Sequence, residues 1–484
     1  MEIEQSHIDY IKSAFENMQT KEDLLSLMNY VKPFIYGEKS VQFDLKQLTY
    51  YAFPHNNRAR YKEFKIKKKS GGERSIHAPI KGLKAIQKTL AFILEYVFVP
   101  HPAAKGFVRE KSIVDNAKVH VGNYYVYNID LKDFFQSIDQ ARVWKCLQLP
   151  PFNLKDPDIN VNNIVRLDNL TMTALCTVSK SPLGFYTGYN LKGEKFISRE
   201  FELEVNAYVI GKKVIDADYY NVKEMIFDRD NGIKEYVKLI KHEIGRQKIA
   251  NIIANICCTT MDVERKDAQG AWEKVSRSVL PQGAPTSPVL TNVVCQRLDY
   301  LLSAVAKRFG LKYSRYADDI TFSSLHNVFQ KDSNFLNEME RVIADQGFTI
   351  KPSKTRLQVD GMQKAVTGLI VNDKVNVKKR YVKQLRMWIN YWEVYGYAKA
   401  EMIFKRDYFK DKGHVKTGQP NLSNVLDGKL NYLSMVKGAN DATYLKLKNR
   451  FDSLIQGASS MEIVLKEWEK NGIENAMELY KKQL

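Results

Sequence analysis

The chain has 484 residues, with 74 Lys and Arg against 55 Asp and Glu and a formal net charge of +19. This length allows two to four domains, and the excess of positive charge indicates a polyanionic partner, most plausibly nucleic acid. An anionic membrane would also attract such a chain, but no apolar run reaches 18 residues and MEIEQSHIDY lacks a signal-peptide pattern. We therefore expect a cytoplasmic protein without membrane contact. The five scattered cysteines argue against a zinc or disulfide framework.

Residues 1–60 are predicted to form a helical lead-in, because apolar residues recur there at helical spacing without a catalytic pattern. The segment YKEFKIKKKSGGERSIHAP then predicts a hairpin with a basic strand, a Ser-Gly-Gly turn and a second strand. It is either an ordinary solvated hairpin or a basic flap that closes over a triphosphate. After the hairpin, Pro79 opens a helix with one apolar face.

The segment YYVYNIDLKDFFQSI begins as an aromatic and β-branched strand that ends at Asp130. Open sheets place functional carboxylates at strand ends that face a cleft, so Asp130 is a candidate catalytic residue. The local sequence would equally suit an N-cap of the helix that follows.

From 150 to 245 only short alternating strands are predicted, and we interpret this stretch as an inserted subdomain. A helix then follows in IKHEIGRQKIANIIANICCTTM, and LPQGAPTSPVLTN predicts a Gly and Pro turn that leads into another helix.

The stretch YADDITFSS places Asp318 and Asp319 at the turn of a predicted hairpin. Two adjacent carboxylates are tolerable on a surface hairpin, because Asp favours turns and water screens the charges. The alternative is that they share a divalent cation, which prefers hard oxygen ligands. Together with Asp130 on a neighbouring strand, they could hold two Mg²⁺ ions about 4 Å apart for nucleotidyl transfer.

The last part of the chain is predicted to be a helical, basic module. From 378 to 416 there are eleven Lys or Arg against four Asp or Glu. A core stripe shares this helical segment with the basic face, which suggests a clamp for nucleic acid. The stripe consists of Val382, Leu385, Trp388, Ile389, Trp392 and Tyr395.

In chain order, DLKDFF, LPQGAPTSP, YADD and GFTIKPSKT resemble the palm motifs of reverse transcriptases. The basic hairpin KKKSGGERSIHAP with the following GLKAIQ resembles the fingers motif of the bacterial members. The segment NAKVH, with Asn116 and His120, matches the NAxxH pattern of retron-type enzymes, and VTG at 366–368 matches a second retron-type pattern. Taken alone, His120 would suit a hydrogen-bonded structural histidine, and VTG a strand that runs into a tight turn.

One spacing departs from the retron pattern. Gln282 follows Asp130 by 152 residues (282 − 130), more than a compact palm needs. This favours the related defence-associated bacterial reverse transcriptases, which carry extra segments.

The resemblance implies an α+β fold of the right-hand polymerase type, with fingers, a palm built on an antiparallel sheet, a helical thumb and an inserted subdomain. The implied division is a lead-in at 1–60, fingers and the start of the palm at 61–149, the insert at 150–245, the palm at 246–377 and the basic thumb at 378–484.

The resemblance also implies roles for single residues. Asp130, Asp318 and Asp319 would be the ligands of two Mg²⁺ ions, for which Mn²⁺ could substitute, and the Leu131 carbonyl would add a further ligand. Lys354 occupies the position of a lysine near the leaving pyrophosphate, although an ordinary surface lysine would also fit there.

Four further residues would line the nucleotide pocket, and a fifth would select the sugar. A bulky ring at Phe135, which matches the family's sugar gate, would clash with a ribose 2′-OH and so favour dNTPs. Lys67 competes for its role with the lysines beside it in the basic hairpin. The four implied nucleotide contacts are Lys67, Arg74, Gln282 and Gly283.

The leading hypothesis is an RNA-directed DNA polymerase that copies a specific, co-encoded noncoding RNA in antiphage defence, with RNA, dNTPs and a DNA product as partners. One alternative is an RNA-dependent RNA polymerase or a template-independent nucleotidyl transferase on the same palm; Phe135 argues against ribonucleotides. Another is a non-catalytic RNA-binding scaffold, against which the complete carboxylate triad argues. The priming mechanism, the role of the insert and the oligomeric state are not predicted.

Overall fold

The structure is a computed structural model. It describes residues 3–53, 60–67, 72–155, 245–267, 269–412 and 420–473 with Met477, and between 156 and 244 the backbone of short strands alone. The mixed α and β content confirms the predicted α+β class. Among the described residues, no helix is both long enough and apolar enough to cross a membrane.

The helices are α1 (Gln5–Asn17), α2 (Lys21–Tyr36), α3 (Leu45–Ala52), α4 (Lys81–Val97), α5 (Ile113–Lys118), α6 (Gln140–Leu147), α7 (Gly245–Cys257), α8 (Ser287–Arg308), α9 (Asn334–Asp345), α10 (Lys379–Lys412), α11 (Leu422–Lys437) and α12 (Ala442–Asn471).

The strands are β1 (Tyr61–Lys67), β2 (Glu73–Pro79), β3 (Tyr125–Asp130), β4 (Ser179–Lys180), β5 (Tyr186–Tyr189), β6 (Lys195–Ser198), β7 (Ala207–Ile210), β8 (Lys213–Asp216), β9 (Tyr220–Ile226), β10 (Tyr236–Lys241), β11 (Thr259–Lys266), β12 (Trp272–Val279), β13 (Lys312–Tyr316), β14 (Asp319–Ser324), β15 (Arg356–Gln358), β16 (Ala365–Val366) and β17 (Leu369–Ile370).

The chain divides into two compact units, the first formed by Met1–Val99 and Asp133–Val294 and the second by Pro100–Lys132 and Cys295–Leu484. The division into five segments predicted from the sequence remains a prediction.

The first unit begins with the predicted helical lead-in, α1 to α3. A capping box, in which the Thr20 and Asp23 side chains bond each other's backbone N–H groups, starts α2. The apolar faces of α1 and α2 pack with α4, and Ile11, Phe15, Leu24 and Met28 are buried there. The predicted basic hairpin is present as antiparallel β1 and β2, and its tip at 68–71 lies outside the described residues.

The second unit contains a four-stranded antiparallel sheet in the order β13–β14–β3–β15. Helix α9 begins at an N-cap serine, Ser333, and buries Phe335, Met339 and Ile343. The Phe335 ring packs edge-on against Phe322 of β14 at a centroid distance of 5.1 Å. Helix α9 therefore excludes water from one face of the sheet, and strand alternation then determines which residues face the other side.

Helices α10 to α12 form a second core in the same unit, where Leu385, Trp388, Ile389 and Trp392 are buried as the predicted stripe requires. The predicted helical segment is present but interrupted, because the backbone is non-helical at Gly396. Glycine adopts the left-handed φ of 75° found there without a steric penalty. Tyr395, the last residue of the predicted stripe, is exposed rather than buried.

Candidate active site

Asp130 and Asp319 face each other across two neighbouring strands of the second unit. Asp130 is the last residue of β3, and its Cα pairs with that of Asp319, the first residue of β14. The two carboxylates thus meet where β3 ends and β14 begins. Helix α6 begins at Gln140 with Asp139 as its N-cap, so Asp130 does not serve as a cap.

A tight turn of Ala317 and Asp318 joins β13 to β14, as the hairpin prediction requires. Ala317 adopts a φ of 57°, the left-handed conformation that hairpin turns of two residues often need. The Leu131 N–H donates to the Asp318 carbonyl at 3.1 Å. This bond holds the turn against the end of β3, and Leu131 itself is buried.

Lys354 lies beside the same carboxylates. Its Nζ donates to Asp130 Oδ2 at 2.5 Å, and about half of its side chain is exposed. A short helical turn, Pro352–Lys354, carries it. The Lys351 N–H donates to the Asp130 carbonyl at 2.8 Å and thereby anchors that turn to the end of β3.

Desolvation and repulsion among the carboxylates both shape the electrostatics of this group. Asp319 keeps contact with solvent, yet desolvation, and then the charges of Asp318 and Asp130, raise the pKa of its carboxyl to about 6. The cations of Lys354 and Arg356 act in the opposite direction. A site that crowds anions in this way favours a bound cation.

Asp130, Asp319, Lys354 and Arg356 line a cavity of about 530 Å³. Sequence reasoning missed part of its wall. Asn128 lies two positions before Asp130, so strand alternation alone could have placed it on the same face. The missed lining residues are Ile113, Asn128, Ile129, Tyr316, Ser353, Thr355, Arg356, Thr367 and Gly368.

In donor chemistry the carboxylates suit Mg²⁺, a hard cation that binds through a few carboxylates and keeps several waters. Within the described part of the chain, no group of three His, Cys, Asp or Glu side chains is arranged to hold a metal ion. Asp130 instead pairs with Lys354. The carboxylates fit a divalent ion in donor type, and the resemblance to reverse transcriptases implies its use.

The predicted nucleotide-pocket residues lie in the first unit. Gly283 has a φ of +119°, and a Cβ built there would lie 2.8 Å from Ile76 Cγ2. The His77 N–H of β2 donates to the Gln282 carbonyl at 2.8 Å. The turn before α8 is thus seated on the basic hairpin, which explains why glycine is needed there.

Arg74 and Lys67 lie on the two strands of that hairpin. Arg74 is exposed and its Cα pairs with Ile66, while Lys67 pairs with Glu73 through the backbone. The side chain of Lys67, and the competing Lys68 and Lys69, lie outside the described residues.

Phe135 is partly buried and packs edge-on against Phe134 at a centroid distance of 5.6 Å. Three residues later, the Ile138 carbonyl accepts a bond from the Leu280 N–H at 3.0 Å. The segment that carries Phe135 is therefore attached to the strand end just before Gln282, within the first unit.

A family model described as reverse transcriptase (RNA-dependent DNA polymerase) matches residues 233–388. The match includes Gln282, Asp318, Asp319 and Lys354, and it begins after Asp130.

Curated relatives extend the similarity. The retron Mx162 reverse transcriptase of Myxococcus xanthus is 27% identical over 73% of this chain, and the chain spans 57% of that relative's length. The retron Ec86 reverse transcriptase of Escherichia coli is 24% identical over 69% of this chain and 70% of its own length. A structure of telomerase from Candida albicans with a telomeric RNA fragment covers 87% of this chain and 65% of its own at 12% identity, with a TM-score of 0.36.

The matched segment contains Asp318, Asp319 and Lys354, and Asp319 pairs with Asp130 in the sheet. The chain therefore carries a reverse transcriptase domain, an RNA-dependent DNA polymerase domain, and over most of its length it is similar to retron reverse transcriptases.

Proposed function

We propose that the protein is an RNA-directed DNA polymerase with the right-hand arrangement of fingers, palm and thumb. The observation that carries this proposal is the pairing of Asp130 with Asp319 in the lining of the cavity, with Asp318 in the adjoining turn and Lys354 bonded to Asp130. The reaction joins a primer hydroxyl to the α-phosphate of a dNTP and releases pyrophosphate.

Asp130, Asp318 and Asp319, with the Leu131 carbonyl, would hold two Mg²⁺ ions, and Mn²⁺ would substitute. When bound, these ions would supply Lewis-acid activation of the hydroxyl and neutralise charge on the pyrophosphate. The chain's own contribution is positional. The sheet register and the Leu131–Asp318 bond hold the carboxylates in place before any substrate arrives.

Lys354 is proposed as the group that donates charge, and a proton, to the departing pyrophosphate. About half of its side chain is exposed, so its ammonium can turn from Asp130, whose side chain is 9% exposed, towards a phosphate oxygen. Arg74, Gln282, Gly283 and Lys67 are proposed to contact the nucleotide, and Phe135 to exclude a ribose 2′-OH.

The template is proposed to be a specific co-encoded noncoding RNA, and the setting antiphage defence in the cytoplasm. The net charge of +19 and the basic segment 378–416 support an RNA partner. The relatives' names support the retron type.

The test is primer extension by the purified full chain on an RNA template, with dNTPs, with rNTPs, and without template. A matched variant carries Asp318→Asn and Asp319→Asn together. We expect templated DNA from the unsubstituted protein alone. Polymer formed without template would favour the terminal-transferase alternative, and RNA formed from rNTPs would favour the RNA polymerase.

Sequencing of the nucleic acid that copurifies from the native locus tests the template proposal. DNA that appears only with the unsubstituted protein and matches a copurifying RNA would support it. If both proteins bring down the same RNA and neither carries new DNA, the scaffold alternative gains.

A further inference from the structure

We call the tight turn of Ala317 and Asp318 the catalytic turn. A buried guanidinium donates a hydrogen bond to its backbone. Arg315 precedes the YADD segment in β13, and its side chain is 0% exposed. Its Nε and Nη2 donate to the two carboxylate oxygens of Asp299 on α8, at 2.8 and 2.7 Å. Its remaining nitrogen, Nη1, donates to the Ala317 carbonyl at 3.1 Å. One planar group thus joins a helix to the backbone of the turn.

The turn needs such support because of its backbone conformation. Ala317 has a φ of 57°, which is unfavourable for any residue with a Cβ and normal for glycine. Left to local preference, this turn would relax and move the two aspartates that follow Ala317. The contact with Arg315 is made by the carbonyl of the strained residue itself.

A second segment, residues 103–106, packs against the backbone of the same turn. A Cβ built on Gly106 would lie 2.5 Å from the Ala317 nitrogen, so the two backbones are in direct contact. The neighbouring Lys105 N–H donates to the Arg315 carbonyl at 2.8 Å, and the Arg315 N–H donates to the Ala103 carbonyl at 2.9 Å. The turn is therefore held between the 103–106 backbone and the guanidinium.

Stability alone gives a weak reason for this ion pair. Asp299 is as buried as Arg315, and two desolvated charges commonly give no more stability than a well-packed apolar pair. Because strand alternation places Arg315 on the face opposite Asp319 and Ser314, it also has no route to substrate. What the pair adds is a fixed orientation of the guanidinium, which directs its hydrogen bond to the Ala317 carbonyl.

We propose that Arg315, held by Asp299, is the positioning residue of the catalytic turn, and that its bond to the Ala317 carbonyl fixes Asp318 and Asp319. This inference rests on the proposed polymerase function. It differs from a general structural role because it acts on one carbonyl beside the two carboxylates.

The test variant carries Arg315→Met and Asp299→Asn together, so that no unpaired charge is left buried. The Tyr313 hydroxyl donates to Asp299, and the asparagine side chain keeps an oxygen that can accept this bond. We expect a folded protein with faster amide hydrogen exchange in the peptide 316–320. We further expect kcat about 10- to 100-fold lower, with the KM for dNTP within about twofold, since about 1 Å of misplacement costs this much. Adding Ala317→Gly should raise kcat again, because glycine takes the left-handed conformation unaided.

The matched control removes another ion pair of the same helix, Arg308→Met with Glu338→Gln, and should change neither exchange at 316–320 nor kcat. Unchanged exchange, or unchanged kcat, in the folded Arg315 and Asp299 variant would overturn the proposal. If that variant does not fold, Arg315→Lys replaces it with the same expectations, because a lysine cannot reach both partners as a fork. Hydrogen exchange can be measured on an inactive protein. If the wild-type protein proves inactive, the proposed function is wrong, and the exchange at 316–320 alone tests whether Arg315 positions the turn.

Discussion

The Asn116 side-chain amide lies 3.5 Å from the Thr367 hydroxyl and so joins two segments that are 251 residues apart in the chain. Asn116 belongs to the NAxxH pattern and Thr367 to the VTG pattern, for neither of which the sequence offered a mechanism. Thr367 and Gly368 also line the cavity that contains Asp130 and Asp319. The NAxxH and VTG segments therefore contact each other at the cavity of the candidate active site.

His120 is the last residue of the NAxxH pattern. Both of its ring nitrogens lie 2.7 Å from serine hydroxyls, those of Ser323 on β14 and Ser314 on β13. The Ser314 hydroxyl donates to the Asn116 side-chain oxygen at 2.7 Å. His120 thus ties together the two strands of the YADD hairpin, and the expectation of a hydrogen-bonded structural histidine is confirmed.

Stability should fall in mild acid because of His120. Burial, with a contribution from the charge of Lys312, lowers the pKa of His120 to about 3 in the folded protein, against about 6.5 for an unfolded histidine. Between these two pKa values, His120 is protonated in the unfolded chain and neutral in the folded protein. The contribution of neutral His120 is complete above pH 6.5 and is lost progressively as the pH falls toward 3.

Urea denaturation at pH 7.5 and pH 5.0 checks this for the wild type and for His120→Gln. We expect the variant to be less stable at pH 7.5 and the difference between the two proteins to shrink at pH 5.0. The other histidines are common to both proteins and cancel in this comparison. A difference that does not depend on pH would show that His120 has the same pKa in the folded and the unfolded protein.

The carboxylate cluster could be anticipated from sequence because its signals are local. One alternating strand ends at Asp130 and another begins at Asp319, just after a short turn that follows β13. The supporting contacts gave no such signal. The partners of His120 lie 194 and 203 residues away, and Asp299 meets Arg315 only because a helix packs behind the sheet. The break at Gly396 was missed since a lone glycine is also tolerated within a helix.

Gly283→Ala should destabilise the protein more than a glycine substitution without a steric conflict. The new Cβ would lie 2.8 Å from Ile76 and 2.9 Å from the His77 carbonyl, at a φ of +119°. Gly361 has a φ of +81° with nothing within 4 Å, so Gly361→Ala carries backbone strain alone. We expect Gly361→Ala to cost about 1 kcal/mol and Gly283→Ala about 1–3 kcal/mol more. Equal shifts in thermal midpoint would mean that the turn and the hairpin are not in contact.

Lys354→Met should slow nucleotide addition by about 10²-fold or more if the ammonium serves the departing pyrophosphate, as general acids commonly contribute this much. Single-turnover extension measures the step directly. Lys351→Met is the matched control, because Lys351 anchors Asp130 through its backbone N–H, which the substitution keeps. A rate unchanged in Lys354→Met would assign this lysine to the surface. A loss shared by Lys351→Met would indicate a general effect of charge.

Phe135→Ala should relax the choice between dNTPs and rNTPs. The ring is partly buried and lies against Phe134, so its position is defined and a 2′-OH that approached it would clash. We expect the ratio of kcat/KM for dNTP over rNTP to fall by at least about tenfold, mostly through better use of rNTP. Phe135→Tyr keeps the ring and should keep the ratio. If Phe135→Ala remains folded and discriminates as well as the wild type, the sugar selection must come from another residue.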